Sequence, residues 1–342
     1  MLVQLPVSLP PWEVAGPLAD SYGRIHSDLR ISITDRCNIR CFYCMPEHGA
    51  QFVPARSLLR FEQIVRFVSA AVPLGLSKLR LTGGEPLLRP KLVDLVAPLA
   101  NVSGVRDLAL TTNGVLLRDA AEPLYEAGLR RLNVHLDTLD RERFRTISRR
   151  DDLERVLAGI DRALGAGFSI KLNAVAIKGL TEPDVLPLVR FGRERNMEVR
   201  FIEFMPLDAQ HLWSMDRVLT ADEMIAMLSR EFGPLTAVAD ADPRAPATEY
   251  QFDDGYRVGF IASVSRPFCM NCNRLRLTAD GKLRYCLFAH EETDIKPLLE
   301  RSNSDGELAA AIRSTVWQKW PGHEINRAGF VAPQRPMYSI GG

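Results

Sequence analysis

The sequence predicts an α/β fold: an incomplete, three-quarter (β/α)6 barrel of the TIM type, with a carboxyl-terminal α+β region attached. Three observations predict it. Six short β-branched runs alternate with segments of helical periodicity before residue 206, which implies parallel strands joined by right-handed crossovers. Six such units fall two short of the eight in a closed barrel. After Met205-Pro206 the alternation stops, and turn-forming dipeptides set a hairpin rhythm instead.

Residues 1–28 are rich in proline and polar side chains and read as an arm wrapped on the surface. The strand-like runs follow at 29–33, 78–82, 107–111, 131–136, 169–176 and 198–204. Helical periodicity covers 61–72, 91–99, 120–127, 153–164 and 185–193. Beyond 205, residues 219–232 read as a helix with Thr220 as its N-cap. The Pro/Ala/Asp stretch 240–247 reads as a loop. Residues 250–252, 256–261 and 274–287 read as antiparallel strands, turned at Asp253-Asp254-Gly255 and Asp280-Gly281. The expected organisation is an arm (1–28), a partial barrel (29–205) and a carboxyl-terminal region (206–342).

With 46% hydrophobic and 25% charged residues among 342, the composition is that of an ordinary globular enzyme. Lys and Arg (43) balance Asp and Glu (42), which argues against a general nucleic-acid or membrane-surface binder. Any anion site must be a local cluster of basic residues. The amino terminus lacks a basic n-region and is broken by Pro6, Pro10 and Pro11, so it reads as neither signal nor transit peptide. No stretch approaches the roughly 18 apolar residues of a membrane span. The expected location is cytoplasmic, where thiols stay reduced and six cysteines need a use other than disulfides.

Their spacing supplies one. Cys37, Cys41 and Cys44 form C-x3-C-x2-C directly after the first strand. Three thiolates from one loop can hold three irons of a 4Fe-4S cube and leave the fourth open to a ligand. A zinc site would want a fourth Cys or His, for which His48 is the candidate. Cys269, Cys272 and Cys286 form C-x2-C-x13-C and read as a second three-thiolate centre, with zinc and His290 as the alternative. Arg274 and Arg276, two apart on a strand, project from one face, where planar guanidinium forks suit phosphate oxygens. Solvated arginines on an edge strand are the bland reading. In Leu81-Thr-Gly-Gly-Glu85-Pro86 the glycines let a ligand approach the backbone. Arg30, Arg80, Lys171 and Arg200 lie in or beside apolar strands, where a charge needs a ligand or a partner such as Glu203.

The first triad, with aromatic Tyr43 before its last cysteine, and the Gly-Gly-Glu-Pro turn resemble the radical S-adenosylmethionine superfamily. Adding the second triad, Cys272-Asn-Arg-Leu-Arg276 and the terminal Gly341-Gly342, the chain from about Leu29 onward resembles the GTP 3′,8-cyclase family of molybdenum-cofactor biosynthesis. The resemblance implies a lyase with two 4Fe-4S clusters on the six cysteines. S-adenosylmethionine, cleaved at the first cluster, gives a 5′-deoxyadenosyl radical that takes hydrogen from C3′ of GTP, and the ribose then closes onto C8 of guanine held at the second cluster. It implies Cys37, Cys41, Cys44, Arg274 and Arg276 as catalytic. It implies Tyr43, Gly84, His135 and Met205 at S-adenosylmethionine, and Arg30, Arg80, Thr111, Lys171, Arg200, Arg274 and Arg276 at GTP. An external low-potential electron donor, a homodimer and a downstream cyclic pyranopterin monophosphate synthase complete the expectation, as does a tail that threads toward the active site. One departure is His135, in Arg131-Leu-Asn-Val-His-Leu-Asp137, where the family usually carries Ser. The competing readings are a radical enzyme acting on another substrate, such as a peptide, and a non-catalytic iron–sulfur or zinc protein.

Overall fold

A computed structural model describes residues 16–208, 210–301 and 304–341. Six strands, β1 (Asp28–Ser32), β2 (Lys78–Thr82), β3 (Asp107–Thr112), β4 (Arg131–His135), β5 (Ser169–Ala176) and β6 (Glu198–Glu203), pair in parallel in chain order. Each falls within a residue or so of its expected run. The helices α1 (Phe61–Ala71), α2 (Val93–Ala100), α3 (Leu117–Glu126), α4 (Arg141–Ser148), α5 (Leu153–Gly165) and α6 (Val185–Glu194) lie between them. Helix α4 went unread because its charged sequence, RERFRTIS, buries only Phe144, Ile147 and Ser148.

The packing follows from the alternation along each strand. Leu29, Ile31, Leu79, Leu81, Leu132, Val134 and Val199 pack in one apolar cluster with Ile64, Phe67 and Val68 of α1 and the matching faces of the other helices. Each such fully buried side chain contributes about 1.5–3 kcal/mol. The opposite strand face carries Arg30 and Arg80.

The carboxyl-terminal region begins with α7 (Ala221–Phe232). Thr220 Oγ1 accepts from the Glu223 N–H, and the Glu223 carboxylate accepts the Thr220 N–H at 2.9 Å, a reciprocal capping box. Strands β7 (Thr236–Ala237), β8 (Thr248–Gln251), β9 (Arg257–Ile261), β10 (Arg274–Leu277), β11 (Lys282–Arg284) and β12 (Thr293–Asp294) follow, with helices α8 (Lys296–Glu300), α9 (Asp305–Trp317) and α10 (Met337–Ile340). The β8–β9 and β10–β11 pairs are antiparallel, as the turns predict. The wholly antiparallel expectation needs correction, however. β9 adds in parallel to β6, and β10 adds in parallel to β1. Among the described residues this makes one twelve-stranded sheet, β12-β11-β10-β1-β2-β3-β4-β5-β6-β9-β8-β7, whose parallel run is eight strands long. β9 and β10 stand at opposite ends of that run and do not pair with each other. Apolar complementarity drives the added pairings, since Leu29 and Ile31 register with Leu275 and Leu277.

Residues 16–27 lie on the surface only in part: Pro17, Ser21, Tyr22 and Ile25 are exposed, and other side chains turn inward. Leu18, Asp20, Arg24 and His26 are buried, and the Leu18 N–H donates to the Leu74 carbonyl. The rest of the expected arm, residues 1–15, lies outside the described residues. No helix among the described residues is long and apolar enough to cross a membrane.

Candidate active site

The strand register builds the first element of the site. Arg276, Arg30 and Arg80 stand side by side on β10, β1 and β2, in one row across three neighbouring strands. Adjacent like charges in a sheet repel, so this row stores unfavourable electrostatics that an anion would relieve. Burial, and then Arg276 and Arg80, pull the Arg30 pKa well below its ordinary value. The Nε atoms of Arg30 and Arg80 lack hydrogen-bond partners among the described residues. Arg276 donates through Nη1 to the Gly341 carbonyl at 2.5 Å.

The row faces a cavity of about 290 Å³. Every residue that the resemblance assigns to the clusters, S-adenosylmethionine or GTP lines it except Lys171, so both cysteine triads open into the same space. The first triad sits in the loop after β1, where the N–H groups of Cys44 and Met45 both donate to the Cys41 carbonyl at 2.9 Å. Burial, with Glu85 next, pushes the Cys37 thiol up to about 12. Burial pushes Cys44 up as well, helped by the neighbouring Cys41 and Cys37. Metal binding there must displace thiol protons, which is how such ligands are loaded.

Gly83 and Gly84 line the cavity and have a second reason to be glycine. A Cβ on Gly84 would stand 2.4 Å from the Arg36 carbonyl oxygen, and one on Gly83 2.3 Å from that of Thr34. The N–H groups of Gly84 and Glu85 donate to these same two carbonyls at 2.7 Å. The turn is thus zipped backbone-to-backbone onto the loop bearing the first triad. Glu85 anchors it from below, accepting from Thr112 Oγ1 at 2.8 Å and the Asn113 N–H at 2.7 Å, while burial raises its carboxyl to about 7.

Tyr43, His135 and Asp137 form a hydrogen-bonded set beside this triad. The Tyr43 hydroxyl donates to Asp137 and also meets His135 Nε2, which lies 3.0 Å from Asp137 Oδ2. Burial opposes charge on His135, but the Asp137 carboxylate outweighs it and lifts the imidazole to about 10. In the family's serine position this chain thus carries an imidazole whose charged form its own carboxylate favours.

At the second triad, Cys269 starts a tight turn in which the Cys272 N–H donates to its carbonyl, and Cys286 follows β11. Arg274 Nε donates to Cys272 Sγ at 3.4 Å. Burial would raise the Cys272 thiol, yet Arg274 and Lys319 draw it down to about 6. Lys319 was missed in the sequence. It is buried, donating to the carbonyls of Arg274 at 3.0 Å and Tyr285 at 2.6 Å, and nothing in its local pattern marks it. His48 is exposed beside Glu47, and the His290 ring packs on Trp320; neither lines the cavity.

Lys171 and Arg200 are already paired. Lys171 bonds Glu198 and lies 3.6 Å from Glu249, and Arg200 meets Glu198 at 2.5 Å and Glu249 at 2.9 Å. The expected partner Glu203 is otherwise engaged, accepting the N–H groups of Ala221, Val264 and Ser265. At the tail, Met337 and Tyr338 line the cavity, and a Cβ on Gly341 would stand 2.8 Å from that of Ser32.

Comparison with known proteins agrees with this arrangement. Residues 31–192 match the Radical SAM superfamily and residues 197–325 match Molybdenum Cofactor Synthesis C. A GTP 3′,8-cyclase of Rhodopirellula baltica is 49% identical over 97% of this chain and 94% of its own. A GTP 3′,8-cyclase of Streptomyces coelicolor is 46% identical over 96% of this chain and 98% of its own. Among solved structures, Streptococcus suis SuiB bound to S-adenosylmethionine superposes with a TM-score of 0.60 at 14% identity, covering 86% of this chain and 69% of that one, a likeness of fold alone. Two matched halves, joined by near-full-length identity to these relatives, place the chain in the radical SAM superfamily as a member of the GTP 3′,8-cyclase family.

Proposed function

We propose that this protein is a lyase that converts GTP to (8S)-3′,8-cyclo-7,8-dihydroguanosine 5′-triphosphate, an early step of molybdenum-cofactor biosynthesis. The observation that carries the reading is one cavity lined by two cysteine triads and by a row of three arginines that no carboxylate meets within ion-pair distance among the described residues. Cys37, Cys41 and Cys44 would hold one 4Fe-4S cluster, and Cys269, Cys272 and Cys286 a second. Bound at the first, S-adenosylmethionine supplies a carbon radical that removes a hydrogen atom from the substrate.

The chain's own residues do the rest. Arg30, Arg80 and Arg276 meet the triphosphate as charge-assisted donors, and Arg274 presents its fork beside the second triad. Thr111 adds a hydroxyl at the end of β3. Arg200 already holds two carboxylates, and Lys171 is held outside the lining, so these two set the local field more than they grip phosphate. The Gly84 backbone, Tyr43, Met205 and the His135 imidazole surround the cosubstrate, with His135 suited to its carboxylate. A peptide substrate would leave the arginine row without counterions. The electron comes from an external low-potential donor. The cyclic product passes to the synthase that follows, and a cytoplasmic homodimer is the expected working state.

The test is anaerobic turnover of the cluster-loaded protein with reductant and S-adenosylmethionine. GTP should raise 5′-deoxyadenosine formation and give a cyclised nucleotide. Deoxyadenosine formed without dependence on GTP, and no new nucleotide, would sink the substrate assignment.

A further inference from the structure

Residues 16–27 make an unexpected connection. Arg24 is 8% exposed, and each of its three guanidinium nitrogens donates a hydrogen bond. Nε donates to Asp20 Oδ2 at 2.6 Å. Nη1 donates to the Cys269 carbonyl at 2.8 Å and the Pro321 carbonyl at 2.9 Å, and Nη2 to the Trp320 carbonyl at 2.6 Å. One side chain from the start of the chain thus joins two segments near its end.

Both segments belong to the second triad. The Cys269 carbonyl closes the turn that carries Cys269 and Cys272. Residues 319–323 form the wall behind it. A Cβ on Gly322 would stand 3.2 Å from Cys269 Cβ and 3.6 Å from its Sγ, so the wall lies flat against that side chain. The Trp320 ring packs edge-on against Tyr285, the neighbour of Cys286, with ring centroids 5.8 Å apart.

Arg24 is itself held in place. Asp20 Oδ1 accepts the N–H groups of Tyr22 and Arg24, and Oδ2 meets His26 Nε2 at 3.0 Å. The main chain doubles back, the Asp20 N–H donating to the Arg24 carbonyl. A buried guanidinium offers a rigid fork with five donors, so it can fix several carbonyls at defined angles where an ammonium cannot.

We infer that Arg24 is the positioning residue of the second metal centre: it clamps the Cys269–Cys272 turn against the 320–322 wall so that Cys269 meets Cys286 at cluster spacing. Arg24 touches neither substrate nor sulfur and acts through the Cys269 and Trp320 backbones. The inference rests on the two-cluster reading proposed above.

The test uses reconstituted full-length protein, with iron and sulfide counted per chain and each centre followed by its electron paramagnetic resonance signal. Wild type should carry about eight irons, four for each cube. Arg24→Ala should fall to about four, losing the second centre's signal while keeping the first's and its S-adenosylmethionine cleavage. Arg24→Lys, which keeps the charge but not the fork, should assemble both centres and release second-centre iron to a chelator about tenfold faster, the worth of one charge-assisted hydrogen bond. Both variants matching wild type in iron, signal and release rate would overturn the inference, as would equal loss from both centres, which marks general unfolding. Wild type carrying only about four irons would remove the two-cluster reading itself.

Discussion

Arg30 and Arg80 show how a single residue's chemistry follows from its neighbours. Each is an ordinary guanidinium on an apolar strand, but parallel register stacks them beside Arg276 with no carboxylate in the row. A charge-assisted hydrogen bond is worth about 1.5–3 kcal/mol. Replacing Arg30 or Arg80 with Ala should therefore weaken GTP binding by about 10- to 100-fold by that conversion, measured by titration calorimetry on the cluster-loaded protein. Iron content should not change; if it falls, the arginine is structural. Relief of like-charge repulsion should also raise the thermal midpoint of the GTP-free variants, a gain that a merely exposed arginine would not produce.

Short elements carry the precision of the site. The Gly83-Gly84 turn works because two backbones lie in hydrogen-bond contact with no room for a side chain. Gly84→Ala should push the Thr34–Arg36 loop outward and cost several kcal/mol, in the range of severe steric substitutions. Iron bound at the first triad should drop while the second centre's signal persists. The Asp20–Arg24–His26 turn predicts a pH dependence. Burial, opposed by Asp20, holds the His26 pKa below its ordinary 6.5, and hydrogen bonds from His26 and Arg24 outweigh burial to bring Asp20 down to about 2. Both groups are depressed in the folded protein, so their contribution is present above the unfolded values and is lost on acidification. The share of urea stability that His26 supplies, read as wild type minus His26→Gln, should be constant above about pH 7 and shrink below about 6.5 as the unfolded chain takes up a proton there. The share that Asp20 supplies, read against Asp20→Asn, should persist down to about pH 4 and be lost below it.

At the scale of the whole molecule, the knot of Lys171, Glu198, Arg200 and Glu249 ties β5 and β6 to β8 across the boundary drawn at residue 205. Breaking a buried ion pair from one side leaves an uncompensated charge and costs about 3–5 kcal/mol. Glu249→Ala should lower the thermal midpoint and leave Lys171 and Arg200 sharing Glu198 alone, tightening binding of inorganic triphosphate. An unchanged midpoint would show that the knot does not hold the two regions together. The same long-range logic explains what was legible beforehand. The six parallel strands, five of the helices and the Thr220 cap were readable because hydrophobic period and capping chemistry are local. Both triads could be proposed as ligand sets because cysteine ligation depends on spacing along the chain, and the fold opens both into one cavity. By itself, then, the sequence determined which cysteines stand at ligand spacing, the barrel rhythm and the identity of the basic residues. Only the tertiary structure decided that β9 and β10 extend the parallel run, that Lys171 and Arg200 are ion-paired while Arg30 and Arg80 have no ion pair among the described residues, and that Lys319 and Arg24 bond the backbone around the second triad. The physical reason is separation: Arg24 meets Cys269 from 245 residues away, and no local pattern records which carbonyl a buried cation will find.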